Sequence, residues 1–271
     1  MVTTETGAHP FDLATVLKQD GEGRYVGHTT PDYSNMVGPF GGITAATLLR
    51  AVLDDPRRIA DPLSITVNFA GPIADGLFTI DALPVRTNRT TQHWSLTLSQ
   101  NDSVATTATV VCGLRRATWA DTEIDPPAAP PPDAAPAAAM PEYPAWLRNY
   151  EMRFVEGNLL SGQASPTSTS TLWVRDAPSR ALDFASATAM SDVFFPRIFL
   201  RLGTMVAAST VTLTVYFHAD AQTLADYGDR PVLATARAQH FGNGYFDQSA
   251  HLWTDAARPL VTTHQLVYFK A

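Results

Sequence analysis

A strand-like phrase occurs twice in this chain, on either side of a proline-rich break, and that duplication limits the folds open to it. Ser64-Ile65-Thr66-Val67-Asn68-Phe69 is closely matched by Val211-Thr212-Leu213-Thr214-Val215-Tyr216-Phe217-His218. Ser103-Val104-Ala105-Thr106-Thr107-Ala108-Thr109-Val110-Val111 is echoed by Pro259-Leu260-Val261-Thr262-Thr263-His264-Gln265-Leu266-Val267. A helix precedes the first of these segments in each half, so the order helix, strand, strand, turn, strand recurs. Two copies of roughly a hundred residues indicate a fused pair, because solenoid repeats have periods of about 20–50 residues.

The first helix is the better marked. Val37 to Leu53 carries no charge before Arg50, opens on Gly41-Gly42, and then places Ala45, Leu48, Leu49, Val52 and Leu53 at helical spacing. The glycine pair lets another backbone or a ligand come close to the helix start. Asp54-Asp55-Pro56 ends the pattern. Upstream, Phe11–Gln19 reads as a short helix and Gly23–Thr29 as a strand. Downstream, Leu63, Ile65, Val67 and Phe69 share one face of a strand. Leu77–Val85, Thr91–Gln100 and Val104–Leu114 follow as strands, the last two joined at Gln100-Asn101-Asp102-Ser103.

The spacing thus predicts a first repeat over residues 1–119, a Pro/Ala linker over 120–145 that crosses the surface, and a second repeat over 146–271. In the second repeat Thr169–Val174 reads as a strand, and Ala181–Asp192 as a helix rich in small residues and stopped by Pro196. The segment Gln239–Tyr245 lacks a phosphate-loop lysine and reads as a turn.

Composition excludes several classes. A formal net charge of -7 disfavours a nucleic-acid partner, which needs a basic face. With 45% hydrophobic and 17% charged residues, the chain can bury a real core. No apolar run reaches membrane-spanning length, no signal peptide is visible at the N-terminus, and the single cysteine, Cys112, reads as a buried strand thiol. The expectation is a cytoplasmic protein with no membrane partner.

One long helix wrapped by a curled antiparallel sheet, present twice, resembles the tandem hot-dog arrangement of the TesB-like acyl-CoA thioesterases. Val37-Gly38-Pro39-Phe40-Gly41-Gly42 is similar to the start of that family's first helix. Ala189-Met190-Ser191-Asp192-Val193-Phe194-Phe195-Pro196 resembles the end of its second helix, with the family's aspartate at Asp192. Ser209-Thr210-Val211 resembles the strand that carries its threonine, and Gln265 matches its last-strand glutamine. The resemblance implies an α+β fold with the two sheets side by side, an acyl-CoA substrate, and no bound metal or cofactor. Asp192, Gln265 and Thr210 are the implied catalytic residues, orienting and activating a water. One position departs from the family: an acidic residue often stands two places after the threonine, and here it is Thr212.

Read for their own chemistry, these residues leave alternatives. Asp192 is the one acid between Ala187 and Phe199, where desolvation would raise its pKa and make it a better base; it could equally be a solvated helix-end residue. Gln265 shares alternation parity with Val261, Thr263, Val267 and Phe269, so it is either a buried amide in need of a partner or an edge-strand residue facing water. Gly41 and Gly42 either approach a thioester oxygen or simply permit close packing. Val193, Phe194, Phe195 and Phe199 line either an acyl channel or plain core. Arg86, Arg89 and Arg197 are candidates for coenzyme A phosphates, although exposed arginines are common. His218, His240, His251 and His264 make no i,i+4 ligand pair, and no G-x-S-x-G elbow is present. The second functional expectation is a non-catalytic acyl-CoA-binding or structural double hot-dog protein, which Thr212 favours. Sheet edges on such a fold invite a homo-oligomer.

Overall fold

The computed structural model describes residues 8–159 and 162–271. The first half runs α1 (Pro10–Thr15), β1 (Lys18–Gln19), β2 (Arg24–His28), α2 (Gly41–Leu53), β3 (Pro62–Phe69), β4 (Leu77–Thr87), β5 (Thr91–Gln100) and β6 (Ser103–Gly113). The second runs β7 (Tyr150–Glu156), β8 (Ser170–Asp176), α3 (Phe184–Met190), α4 (Arg197–Leu202), β9 (Ala207–Phe217), α5 (Ala221–Tyr227), β10 (Val232–Arg237), β11 (Phe241–Gly242), β12 (Tyr245–Trp253) and β13 (Pro259–Lys270).

All strands belong to one antiparallel sheet in the order β1-β2-β4-β5-β6-β3-β9-β13-β12-β10-β8-β7, with β11 paired to β12. The duplicated phrase lies at its centre, since the two copies pair with each other. Ile65 stands opposite Val215, Thr66 opposite Thr214 and Val67 opposite Leu213. Ile65, Val67, Leu213 and Val215 are fully buried on the helix side. The Thr66 and Thr214 hydroxyls meet at 3.1 Å on the outer side. This is two sheets joined edge to edge, the double hot dog expected from the repeat.

Helices α2 and α3 lie antiparallel on one face of the sheet. Gly42 is close to the Ala189 carbonyl, and Arg50 near the other end of α2 pairs with Asp183 at 3.5 Å. From Gly42 to Val52 every residue of α2 is buried except Arg50, so the helix is enclosed on all sides rather than amphipathic. The β5–β6 hairpin turns through Asn101 and Asp102, both at positive φ, which matches the twist of its strands.

Part of the Pro/Ala segment lies against the outer side of the sheet. Trp173, Leu233 and Trp253 point outward, away from the helices, and form a cluster with Ala135. The Trp173 indole donates to the Pro130 carbonyl at 2.9 Å, and Arg153 donates to the Ala135 carbonyl at 3.1 Å. Ala137 forms an isolated bridge to Arg153 on edge strand β7. The opposite edge strand, β1, has two residues. Both edges are therefore blunted. No helix among the described residues is long and apolar enough to cross a membrane.

Three local expectations need correction. The helix expected over Phe11–Gln19 stops at Thr15, and Lys18–Gln19 instead pairs with Tyr25–Val26. The second helix is shorter than Ala181–Asp192: Asp183 caps it by accepting from the Ser186 N–H, and it ends at Met190, so Asp192 lies in the turn beyond. Strand β7 and helix α4 are additional elements, the first an edge strand and the second only six residues long.

Gly42 gives a signed test of the helix pairing. Alanine in a helix interior is ordinarily better than glycine by about 1 kcal/mol. A Cβ at Gly42, however, would lie 2.5 Å from both the Ala189 carbonyl oxygen and the Phe40 ring. Gly42→Ala should therefore lower stability by about 1–3 kcal/mol in urea unfolding. A gain in stability would show that the two helices are not packed this closely.

Candidate active site

The start of α2 lacks a local cap. Its N-cap residue is Phe40, whose side chain makes no capping hydrogen bond, so the first N–H groups of the helix need partners from elsewhere. Asp192 fills this role from the second repeat: its carboxylate accepts from the Gly42 N–H. Gly41 makes the approach possible, because a Cβ there would lie 2.7 Å from Asp192 Oδ2. The glycine pair thus serves the aspartate directly, a contact that neither the packing reading nor the oxyanion reading of the sequence anticipated.

Gln265 comes from the opposite direction. Its Nε2 donates to Asp192 Oδ1 at 2.8 Å, and its Oε1 accepts from Thr210 Oγ1 at 3.4 Å. The donor and acceptor at its two ends fix the orientation of the amide. Gln265 is 5% exposed and lies on β13, between β9 and β12, so it is not an edge residue facing water. The three residues named from the sequence converge as a chain, Thr210 to Gln265 to Asp192. Thr210 reaches the carboxylate only through the glutamine.

A β-bulge puts Thr210 there. By simple alternation Thr210 would share the outer face with Thr212 and Thr214. The register shifts between Leu266 and Val267: Leu266 stands opposite Thr212, but Val267 stands opposite Thr210. The extra residue, Val211, turns Thr210 to the helix side. Thr212 is left beside Leu266 and Asn68, both exposed, on the face away from Asp192. The departure from the family pattern at Thr212 therefore does not reach this site.

Burial raises the Asp192 pKa to about 7, while the hydrogen bonds from Gln265 and the Gly42 N–H pull the other way. The carboxylate is poised to exchange a proton near neutrality.

Other candidates fall away from this centre. Arg197 is fully buried, donating to the Phe195 and Ser168 carbonyls and to Ser170 Oγ at 2.8 Å. Burial pushes its guanidinium down to about 9, and its position excludes a surface phosphate role. Arg86 is exposed and bonds to Asn88 at 2.9 Å. The four apolar residues expected along one channel are divided. Val193 and Phe194 lie in the main core, Phe195 packs against it and stacks on Phe154, and Phe199 packs on a smaller cluster of Ile198, Phe246 and Val267. His218 and His264 bond to Thr262 and Ser249 at 3.0 and 3.2 Å, in exposed positions on the outer face. Cys112 is a buried strand thiol, pushed up to about 11 by burial.

Sequence reasoning missed Gln248, which stands directly opposite Gln265 on β12 and is 2% exposed. The alternation that found Gln265 applies here as well, since Gln248 shares parity with Phe246, Ala250 and Leu252.

Two family models match the chain, the acyl-CoA thioesterase N-terminal domain over residues 30–113 and the acyl-CoA thioesterase C-terminal domain over residues 124–269. The chain belongs to the acyl-CoA thioesterase family. Among solved structures, a conserved hot-dog protein of unknown function from Alicyclobacillus acidocaldarius is 45% identical. It covers 98% of this chain and 99% of its own, with a TM-score of 0.94. The tesB protein of Mycobacterium avium subs paratuberculosis is 20% identical over 96% of this chain and 98% of its own, with a TM-score of 0.77. The acyl-CoA thioesterase II TesB2 of Mycobacterium marinum is 15% identical over the same shares, with a TM-score of 0.75. At these identities the two mycobacterial proteins show the shared fold. No curated protein matches the chain.

The raised Asp192 pKa sets a sign for stability in this thioesterase-family protein. Between the ordinary value of 3.8 and about 7 the native state holds a proton that the unfolded chain releases. The contribution is full below the lower value and is lost as pH rises through the upper one. Asp192→Asn keeps one acceptor oxygen for the Gln265 and Gly42 donors and removes the desolvated charge. It should match wild type near pH 4 and become progressively more stable than wild type toward pH 8, read by urea midpoints across that range. A difference that does not change with pH would show that the carboxylate is not desolvated.

Proposed function

We propose that the protein hydrolyses an acyl-CoA thioester to the free acid and coenzyme A. The observation that carries this reading is the Asp192 carboxylate, partly buried at the start of α2, bonded by Gln265 at 2.8 Å and shifted by desolvation to about 7. Thioester hydrolysis needs a group that takes a proton from water as the water oxygen attacks the carbonyl carbon. Asp192 is suited to that task near neutral pH. The proton it accepts can then pass to the departing sulfur as the tetrahedral intermediate collapses.

Gln265 supports the same step. One of its amide hydrogens goes to Asp192, leaving the other to hold the water or the thioester carbonyl. Thr210 is a positioning residue: its hydroxyl donates to Gln265 Oε1 and so keeps the N–H end toward the acid. The partly uncapped start of α2 adds a positive local potential beside the developing negative charge. The placement of Thr212 on the outer face removes the feature that favoured a non-catalytic double hot dog.

The test is thiol release from acyl-CoAs of graded chain length. Asp192→Asn should lower kcat by roughly 10²–10⁴-fold, the range for loss of a general base. Wild-type kcat/KM should fall as pH drops through about 7, where the carboxylate becomes protonated. Thr210→Val should lower kcat by less than Gln265→Leu does. Undiminished hydrolysis by Asp192→Asn would overturn the assignment, and tight acyl-CoA binding with no turnover would favour the binding reading.

A further inference from the structure

The core-facing side of the sheet holds two polar side chains beside the Asp192 centre that the proposed reaction does not use. Gln248 lies on β12 directly opposite Gln265, is 2% exposed, and makes no side-chain hydrogen bond among the described residues. Residues facing each other across antiparallel strands have Cβ atoms about 4.5–5.5 Å apart, so the two amides start from adjacent positions on one face. Thr263 lies two residues before Gln265 on β13, on that same face, and is 1% exposed. Its hydroxyl has no hydrogen-bond partner among the described residues.

Two unpartnered polar groups flanking one reactive amide call for an explanation. A buried amide or hydroxyl without a partner costs about 1–3 kcal/mol, and methionine or valine could fill these volumes without that cost. Local strand pairing does not require them: the neighbours of Thr263 across the strands are Ala250 and Val215, and Gln248 faces Gln265 without a side-chain hydrogen bond to it among the described residues. Gln265 bonds to Asp192 and Thr210 and, among the described residues, makes no side-chain hydrogen bond to Gln248 or Thr263. Gln248 offers two donors and an acceptor, and Thr263 one donor and an acceptor. Gln248 sits about one strand spacing, roughly 5 Å, from Gln265, and Thr263 two residues along the same strand, roughly 7 Å from it. With a thioester carbonyl at Gln265, a group held there would lie within the first few carbons of the acyl chain.

We propose that Gln248 and Thr263 form a polar subsite for an oxygen substituent near the thioester, so that hydroxyacyl or oxoacyl thioesters are taken in preference to plain saturated ones. The position of the acyl group rests on the thioesterase reading above. The discrimination follows from the cost of leaving these groups unpaired when a saturated chain lies against them.

The experiment compares six-carbon acyl-CoAs carrying no oxygen, a 3-hydroxyl or a 3-oxo group, on wild type, Gln248→Met and Thr263→Val. Wild type should favour an oxygenated substrate by about 10-fold or more in kcat/KM. Gln248→Met should bring that ratio close to one, chiefly by loss on the oxygenated substrate, and Thr263→Val should reduce it in part. The amide has no partner to lose, so Gln248→Met should melt no lower than wild type. A lower melting temperature would show that Gln248 braces the sheet and would overturn the proposal. Equal wild-type rates on the three substrates, or a variant that slows all of them alike, would do the same. Calorimetric binding of the corresponding non-hydrolysable thioethers separates this idea from the catalytic one. If no thioester is hydrolysed but the hydroxy-thioether binds more tightly than the plain one, and Gln248→Met abolishes the difference, the subsite stands without the hydrolase. Equal or absent binding of all the thioethers would sink it.

Discussion

The interaction on which this molecule depends is the one between Asp192 and the start of α2. A helix normally has its first N–H groups satisfied by the residue just before it. Here that residue is Phe40, and the acceptor for the Gly42 N–H arrives from the other repeat. One contact thereby completes a helix end, joins the two repeats and places a carboxylate in a desolvated position. Structural and chemical roles cannot be separated at this residue, because the burial that makes Asp192 a capping group from a distance also lifts its pKa toward neutrality. Gly41 and Gly42 are required by geometry. A side chain at either would meet the Asp192 carboxylate or the Ala189 backbone.

The segment before the glycine pair is fixed by the second repeat as well. Phe40 stacks on Trp146 at 4.2 Å, and Tyr150 meets Phe40 and Tyr33 edge-on. Around these rings, Asn149 donates to the Asp32 carbonyl at 2.7 Å, and Tyr143 donates to the Asn35 carbonyl at 3.0 Å. The first residues of the second half therefore clasp the loop that leads into α2. With both the loop and the acid supplied across the junction, the geometry at Gly42 is set by inter-repeat packing rather than by local helix propensity.

Much of the fold was legible because it rests on patterns of period two and period 3.6. The duplicated phrase at Ser64 and Val211 identified the two strands that meet at the centre of the sheet, and the glycine pair marked the start of α2 correctly. The site was less legible, for physical reasons that differ by residue. Gln265 carried its own signal, an amide in an apolar alternation. Asp192 carried only half of one, since nothing in its neighbourhood says that a helix start some 150 residues earlier supplies its hydrogen bond. Thr210 was visible through the family resemblance alone. Alternation places it on the wrong face, and the bulge at Val211 that reverses it is a register property of two strands rather than of either sequence. Gln248 needed that same pairing information before its position opposite Gln265 had any meaning.

The antiparallel helix pair has a second end, related to the first by the repeat, and its chemistry shows why one end is reactive and the other is not. At that end α3 begins with Asp183, which caps its own helix by accepting from the Ser186 N–H at 2.8 Å. The Asp183 carboxylate is further held by Arg180 at 2.7 Å and Arg50 at 3.5 Å, and these partners keep its pKa below the ordinary value in spite of burial. Arg50 also reaches Asp54, the residue at the C-terminus of α2. The second end is thus closed twice, by a local cap and by a network of opposite charges. At the first end, among the described residues, there is no local cap and no cation among the hydrogen-bond partners of Asp192, which are a neutral amide and a backbone N–H. Neutral donors hold a carboxylate in place without stabilising its charge as strongly as an arginine does. That difference keeps Asp183 ionised and inert and leaves Asp192 able to take up a proton.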